Sequence, residues 1–207
     1  MKAAKARNYF AVSISLFLLV FEPNGVAIDK YRLNRSKLLM IFETERLTFS
    51  WVKTTDVAFI LKLLNDPAFI QNIRDEGIKT IDEAKAHIGV RFIGSYQKNG
   101  FGMYLVTLKS SGEHVGVCGI LKRDTLNFPD IGYAFLAEHS GKGYASEAAI
   151  AVMQYGTQIL GIKRIVGITS RDNKASIKIL EKAGLVFSNM ISTEDGETML
   201  FVPSSQS

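Results

Sequence analysis

The sequence predicts an α+β domain, and three observations carry that reading. Alternating apolar and polar residues mark strands near both ends of the body, helical spacing marks segments between them, and the two kinds of element do not follow a strict βαβ repeat. Phe42 to Val52 alternates as a strand with one buried face. Thr55 or Asp56 can cap a helix whose residues Val57, Ile60, Leu61 and Leu64 share one side, ending by Asp66-Pro67. A second helix begins near Thr80, carries Asp82 and Glu83 in its first turn, and runs to about Tyr96. Asn99-Gly100 marks a turn, and Gly102 to Leu108 with His114 to Arg123 read as a hairpin joined through Ser110-Ser111-Gly112. A strand at 131–137 follows Asn127-Phe128-Pro129. From 145 onward Ala145, Ala148, Ala149, Val152, Met153, Gly156, Ile159 and Leu160 form one apolar helix face, small enough at its start to lie close on a sheet. Lys163 to Ser170 is a strand, and Asp172 or Asn173 caps a helix that stops at Gly184. Leu185 to Ser192 and Glu197 to Val202 close the chain as a hairpin around Asp195-Gly196.

Composition bounds the function. The 207 residues are 47% hydrophobic and 22% charged, an ordinary globular balance with length enough for a real core. The one cysteine, Cys118, excludes an internal disulfide, reads as a small buried hydrophobe, and fits a reducing, cytoplasmic compartment. His87, His114 and His139 have no ligand-like spacing, so no metal is expected. The net charge of +5 resides entirely in residues 1–39, which hold seven Lys/Arg against two acids. The body is therefore neutral and offers no nucleic-acid groove.

Residues 1–39 read as an N-terminal extension and 40–207 as one domain without repeat or linker. Lys2, Lys5 and Arg7 precede an apolar run from Tyr9 to Phe21 that is shorter than the about 20 residues a spanning helix needs. No small-x-small cleavage site follows it. Three readings stay open: a start assigned too early, because Met40 begins a segment that reads like a natural start; an ordered or membrane-touching appendage; and an export signal.

The most telling segment is His139-Ser140-Gly141-Lys142-Gly143-Tyr144-Ala145-Ser146-Glu147-Ala148. A strand, a glycine turn and a helix N-terminus in that order make a place to hold phosphate, since unsatisfied N–H groups and the positive end of the helix dipole converge there. It is not a Walker loop, because Gly141-Lys142 is followed by glycine and Leu136 stands where the loop's first glycine belongs. It is not a dinucleotide fingerprint, because the pattern is late in the chain, reads G-x-G-x-x-S, and lacks the acid after the next strand. A plain connecting turn is the remaining alternative.

The segment has companions. Ile131-Gly132-Tyr133, Gly141 to Ala148, Asn173-Lys174-Ala175-Ser176 and Leu180-Glu181-Lys182-Ala183-Gly184-Leu185, in that order, resemble the GNAT N-acetyltransferase superfamily. Glu43-Thr44-Glu45-Arg46-Leu47 and Asn65-Asp66-Pro67 resemble the opening of its ribosomal-protein alanine N-acetyltransferase branch. The resemblance covers about residues 40–203. It implies a mixed, strongly twisted central sheet flanked by helices, with acetyl-coenzyme A as acyl donor and no covalent enzyme intermediate. It places the pyrophosphate on Ser140 to Ala145, held by backbone N–H groups of Gly141, Gly143, Tyr144 and Ala145, with Lys142 either a point charge on a phosphate or a solvated lysine. It assigns the backbone of Phe135, Leu136 and Ala137 to the pantetheine arm, and Asn173 either to the cofactor or to a helix N-cap.

The resemblance also implies an acceptor, a primary amine. A protein N-terminus is favoured by the branch, while polyamines and amino-sugar antibiotics stay open, as does monomer or homodimer. An α-amino group with pKa about 7.7–8 is roughly a quarter to a third neutral near pH 7.4, against roughly 0.1% for lysine, so such an acceptor needs only a weak base. The family's usual proton donor, a tyrosine, falls on Leu180 here. Ser176 is the expected replacement, with a helix serine bonding its own backbone as the alternative. Glu138, His139 and Asp130 are candidate bases, and Tyr133 and Tyr144 read as core aromatics. A different class also remains: an acyl-CoA-binding or regulatory module that has lost catalysis along with the tyrosine at 180.

Overall fold

The computed structural model describes residues 40–193 and 196–204. The three readings of residues 1–39 lie outside them. The expected first strand is two, β1 (Met40–Glu43) and β2 (Leu47–Trp51), because Thr44 breaks the alternation: its N–H donates to Leu47 O and its hydroxyl accepts from Leu47 N–H. Helix α1 (Val57–Leu64) ends at Asn65, and a further helix, α2 (Pro67–Asn72), follows in a stretch for which the sequence predicts no element. Asp66 explains it. Its carboxylate accepts from Ala68 N–H while Pro67, lacking a donor, occupies the first helical position.

Thr80 and Glu83 form the capping box that starts α3 (Ile81–His87). That helix continues through a wide turn, Ile88–Ile93, into α4 (Gly94–Asn99), which Gly100 closes at φ 74°. Strands β3 (Met103–Leu108), β4 (His114–Leu121) and β5 (Asp130–Phe135) follow, then α5 (Tyr144–Gln154), β6 (Gly167–Thr169), α6 (Lys174–Lys182), β7 (Leu185–Thr193) and β8 (Gly196–Pro203).

The fold class is the expected α+β. Strands β1 to β5 form one antiparallel sheet in sequence order, and β6, β8 and β7 form a second. Among the described residues the parallel component is a single bridge, in which Ile131 N–H donates to Val166 O and Val166 N–H to Pro129 O, each at 2.9 Å. Beyond it β5 and β6 part, and of the expected strand from Lys163 to Ser170 only Gly167–Thr169 pairs as a strand, with β8.

Both faces of the larger sheet are covered, so β3 and β4 are buried nearly throughout instead of alternating. Helices α5 and α6 pack on Phe49, Tyr104, Cys118, Ile120 and Ile131. Helix α1 and the wide turn Ile88–Ile93 pack on Leu105, Val117, Ala134 and Leu136. Close approach depends on small residues: a Cβ on Gly167 would lie 2.5 Å from Leu180 Cδ2, so glycine there lets α6 seat its leucine. No helix among the described residues is long and apolar enough to cross a membrane.

Candidate functional site

The site grows from the point where β5 leaves its neighbour. In an antiparallel ladder alternate residues turn their N–H and C=O to the same side. Leu136 N–H donates to Val115 O on β4, whereas Ile131 N–H points the other way, to Val166. The pleat therefore turns the backbone of Tyr133 and Phe135 to the open edge. Of the three residues expected to offer backbone groups, Phe135 faces that edge. Leu136 spends its N–H on β4 and its carbonyl on His139 N–H, and Ala137 donates to Asp66 Oδ2 at 3.1 Å and accepts from Ser140 N–H. The backbone of Tyr133, which the sequence offers only as a core aromatic, faces the same edge as that of Phe135, as the two-residue pleat requires.

After the short turn Ala137–His139 the chain enters the glycine loop. Gly141 and Gly143 have φ of 76° and 81°, the left-handed region that glycine enters without strain. A Cβ on Gly141 would touch nothing, so its need is conformational and not steric. Glu147 N–H returns to Gly143 O, and the N–H groups of residues 141–146 have no partner among the described residues. Tyr144 and Ala145 open α5 directly behind them. A loop that presents consecutive free donors at a helix head fits an anion such as the pyrophosphate of coenzyme A.

The loop is anchored from β1–β2. Arg46 donates from Nη1 to Lys142 O at 3.0 Å and from Nε to Glu147 Oε2 at 2.6 Å, and its guanidinium lies 4.7 Å from the Tyr144 ring centroid. Glu147 Oε1 accepts from the Thr44 hydroxyl at 2.6 Å and from Arg46 N–H at 3.0 Å. Burial pushes the Glu147 carboxyl up, but these donors outweigh it and hold the pKa below the usual value. Lys142 itself is exposed.

Asn173 is the N-cap of α6, its Oδ1 accepting from Ser176 N–H at 2.9 Å. Ser176 is 7% exposed, and its Oγ lies 2.8 Å from the Tyr133 hydroxyl, which also donates to Ser176 O at 3.2 Å. Burial pushes the Tyr133 phenol up and the Ser176 bond pulls it part of the way back. Leu180, at the position of the family's tyrosine, is a core residue.

The three candidate bases each have a partner. Glu138 is exposed, and the Lys62 ammonium 2.8 Å away holds its carboxyl below the usual value. His139 is buried, with Nε2 3.2 Å from Glu113 Oε1 and Nδ1 unpaired among the described residues. Glu113, Glu138 and His139 bring donor atoms within 4.8 Å of one another, a grouping that their sequence spacing does not reveal. Asp130 is wholly buried, with Oδ2 2.9 Å from Arg123 Nε and Oδ1 unpaired among the described residues. Burial pushes its carboxyl up to about 6 against the pull of Arg123.

Comparison with known proteins follows the same lines. Residues 46–186 match the family described as acetyltransferase (GNAT) domain. The uncharacterized protein YkkB of Bacillus subtilis (strain 168) is 32% identical over 152 residues, covering 72% of this chain and 86% of its own. RimL, the ribosomal L7/L12 α-N-protein acetyltransferase solved with coenzyme A, superposes with a TM-score of 0.69 at 18% identity, covering 79% of this chain and 96% of that one. AAC(6')-Ib, solved with paromomycin and acetyl-CoA, gives 0.65 at 18% identity, covering 78% and 94%.

Proposed function

The chain belongs to the GNAT family of acetyltransferases, and from that premise we propose that it moves the acetyl group of acetyl-coenzyme A directly onto a protein N-terminal amine. The observation that carries the donor is the run of free N–H groups at 141–146 behind two left-handed glycines. Gly141, Gly143, Tyr144 and Ala145 hold the pyrophosphate through their backbone, with Lys142 beside them. The open edge of β5, Tyr133 and Phe135, takes the pantetheine arm, and one of its N–H groups faces the thioester oxygen as charge develops there. Asn173 keeps its Nδ2 for the cofactor while Oδ1 caps α6. The group supplies an activated acetyl and a thiolate leaving group when bound. Ser176 donates the proton the thiolate needs.

The acceptor follows from the bases. Glu138, His139 and Asp130 are each engaged by an oppositely charged or hydrogen-bonding partner. A site whose bases are so occupied suits an amine that is already partly neutral near pH 7, which favours an α-amino group over a lysine. RimL is named as an α-N-protein acetyltransferase, and AAC(6')-Ib, similar in fold at a TM-score of 0.65 against 0.69, is solved with paromomycin, so small amines form the second arm of the test. A cytoplasmic site of action fits the single buried thiol.

The test is thiol release from acetyl-CoA with a panel of N-terminal peptides, polyamines and aminoglycosides. Turnover with α-amino peptides supports the reading. Turnover confined to small amines overturns the acceptor, and saturable acetyl-CoA binding without turnover on any amine overturns it in favour of an acyl-CoA-binding module.

A further inference from the structure

The bond between the Tyr133 hydroxyl and Ser176 Oγ has no part in the reading above, on which this inference rests, and it answers a difficulty there. A serine hydroxyl is a poor acid. Water, its nearest simple relative, has a pKa of about 15.7 and a free phenol about 10, so serine alone is about five to six powers of ten less able to release a proton than a free phenol. Burial pushes the Tyr133 phenol up and narrows that margin without closing it. We propose that Tyr133 supplies the proton that Ser176 delivers to the departing thiolate, and that it is the positioning residue that aims the serine.

The geometry offers two settings of the same atoms. In one, the Ser176 hydroxyl donates to Tyr133 Oη while the phenol donates to Ser176 O, 3.2 Å away, and both protons are held inside the protein. In the other, the phenol donates to Ser176 Oγ across 2.8 Å, which frees the serine proton to point outward. The backbone fixes both ends. Ser176 sits in the first turn of α6, its N–H bound to Asn173 Oδ1, and Tyr133 is two residues past Ile131, whose N–H makes the last bond before β5 and β6 part. The phenol thus reaches from one wall of the opening to the helix on the other. Among the described residues the titratable group that faces it is Cys118, opposite on β4, whose thiol burial also pushes up. Both groups therefore stay protonated through neutral pH.

The step balances. As the amine forms its C–N bond and the C–S bond breaks, the Ser176 Oγ–H proton goes to sulfur. The electron pair left on Oγ takes the Tyr133 proton, so serine ends unchanged and the phenolate is the only new anion. The proton shed by the amine passes to solvent, and solvent returns one to Tyr133. Leu180, which has no hydroxyl, takes no part.

The test uses the full chain. Tyr133→Phe should lower kcat about 10- to 100-fold while leaving KM for acetyl-CoA within about twofold. Placing 3-fluorotyrosine, a more acidic phenol, at 133 should restore most of the rate and move the basic limb of the kcat–pH profile to lower pH. A readout independent of turnover is the 19F resonance of that residue in the free protein, which should shift in Ser176→Ala. If Ser176→Ala lowers kcat and Tyr133→Phe does not, this inference fails and the acetyltransferase reading stands. If neither changes kcat, both the serine and its supply are wrong. An unmoved pH limb with fluorotyrosine reduces Tyr133 to packing and overturns the proposal.

Discussion

At residue scale, conformation and chemistry can be separated at Gly143. Its φ of 81° would cost a β-branched side chain about 1–2 kcal/mol, and a Cβ there would sit 3.4 Å from Arg46 Nη2. Gly143→Val should weaken acetyl-CoA binding at least tenfold by calorimetry. Gly161→Val is the control, since φ of 67° and open surroundings impose the same strain away from the loop. Equal loss of affinity in both variants would refute the cradle. Asp130 gives a second residue-level expectation. Its carboxyl titrates at about 6 in the folded protein and near 3.8 when unfolded, so the folded state binds the extra proton between those values. Its contribution to stability is complete below about pH 3.8 and is lost as pH rises through about 6. Asp130→Asn should flatten the urea-unfolding free energy across that window, and an unchanged slope would show that Asp130 is not the titrating group.

At the scale of elements, two short motifs that the sequence offers only as resemblance acquire physical work. Asn65-Asp66-Pro67 starts α2 and also ties it to the end of β5, because the two oxygens of Asp66 take Ala68 and Ala137 N–H. Thr44 and Arg46 reach 103 and 101 residues ahead to Glu147 and brace the glycine loop. Glu147→Gln keeps the shape and removes the charge, so it should cost about 1 kcal/mol and lower Tm by about 2–4 °C, with a measurable rise in the acetyl-CoA dissociation constant. Because the folded pKa of Glu147 is depressed, this contribution is present above the ordinary carboxylate range and is lost as pH falls below it. Differential scanning calorimetry of both proteins at neutral and acid pH checks it, and a wild-type advantage that persists in acid would show that charge is not the cause. Such long-range pairs explain the limits of sequence reading here. The glycine turn, the helix caps and the closing hairpin are local and legible at 141–143, 80–83 and 185–203. The brace from Thr44 and Arg46 to Glu147, the curtailed β6 and the Tyr133–Ser176 bond depend on partners far away in the chain, and no periodicity encodes them.

At the scale of the whole molecule, the neutral body and the basic first 39 residues invite an experiment. Among the described residues the two core clusters run from Leu47 onward, and β1, which opens at Met40, packs Phe42 on Phe49 and Tyr155 at ring distances of 4.2 and 4.4 Å. The family match likewise begins at Arg46. A chain begun at Met40 should therefore unfold cooperatively within about 2 °C of the full one and keep its kcat/KM within about twofold, since the stability of a two-state domain resides in its own buried core. Its charge should differ sharply, because the surplus of five positive charges is confined to residues 1–39. Retention on a cation exchanger at pH 7, or on vesicles rich in anionic lipid, should disappear with the extension and fall with salt in the full chain. Equal retention of both chains would place the basic contact on the body. A shortened chain that fails to fold would make 1–39 part of the domain instead of an addition to it.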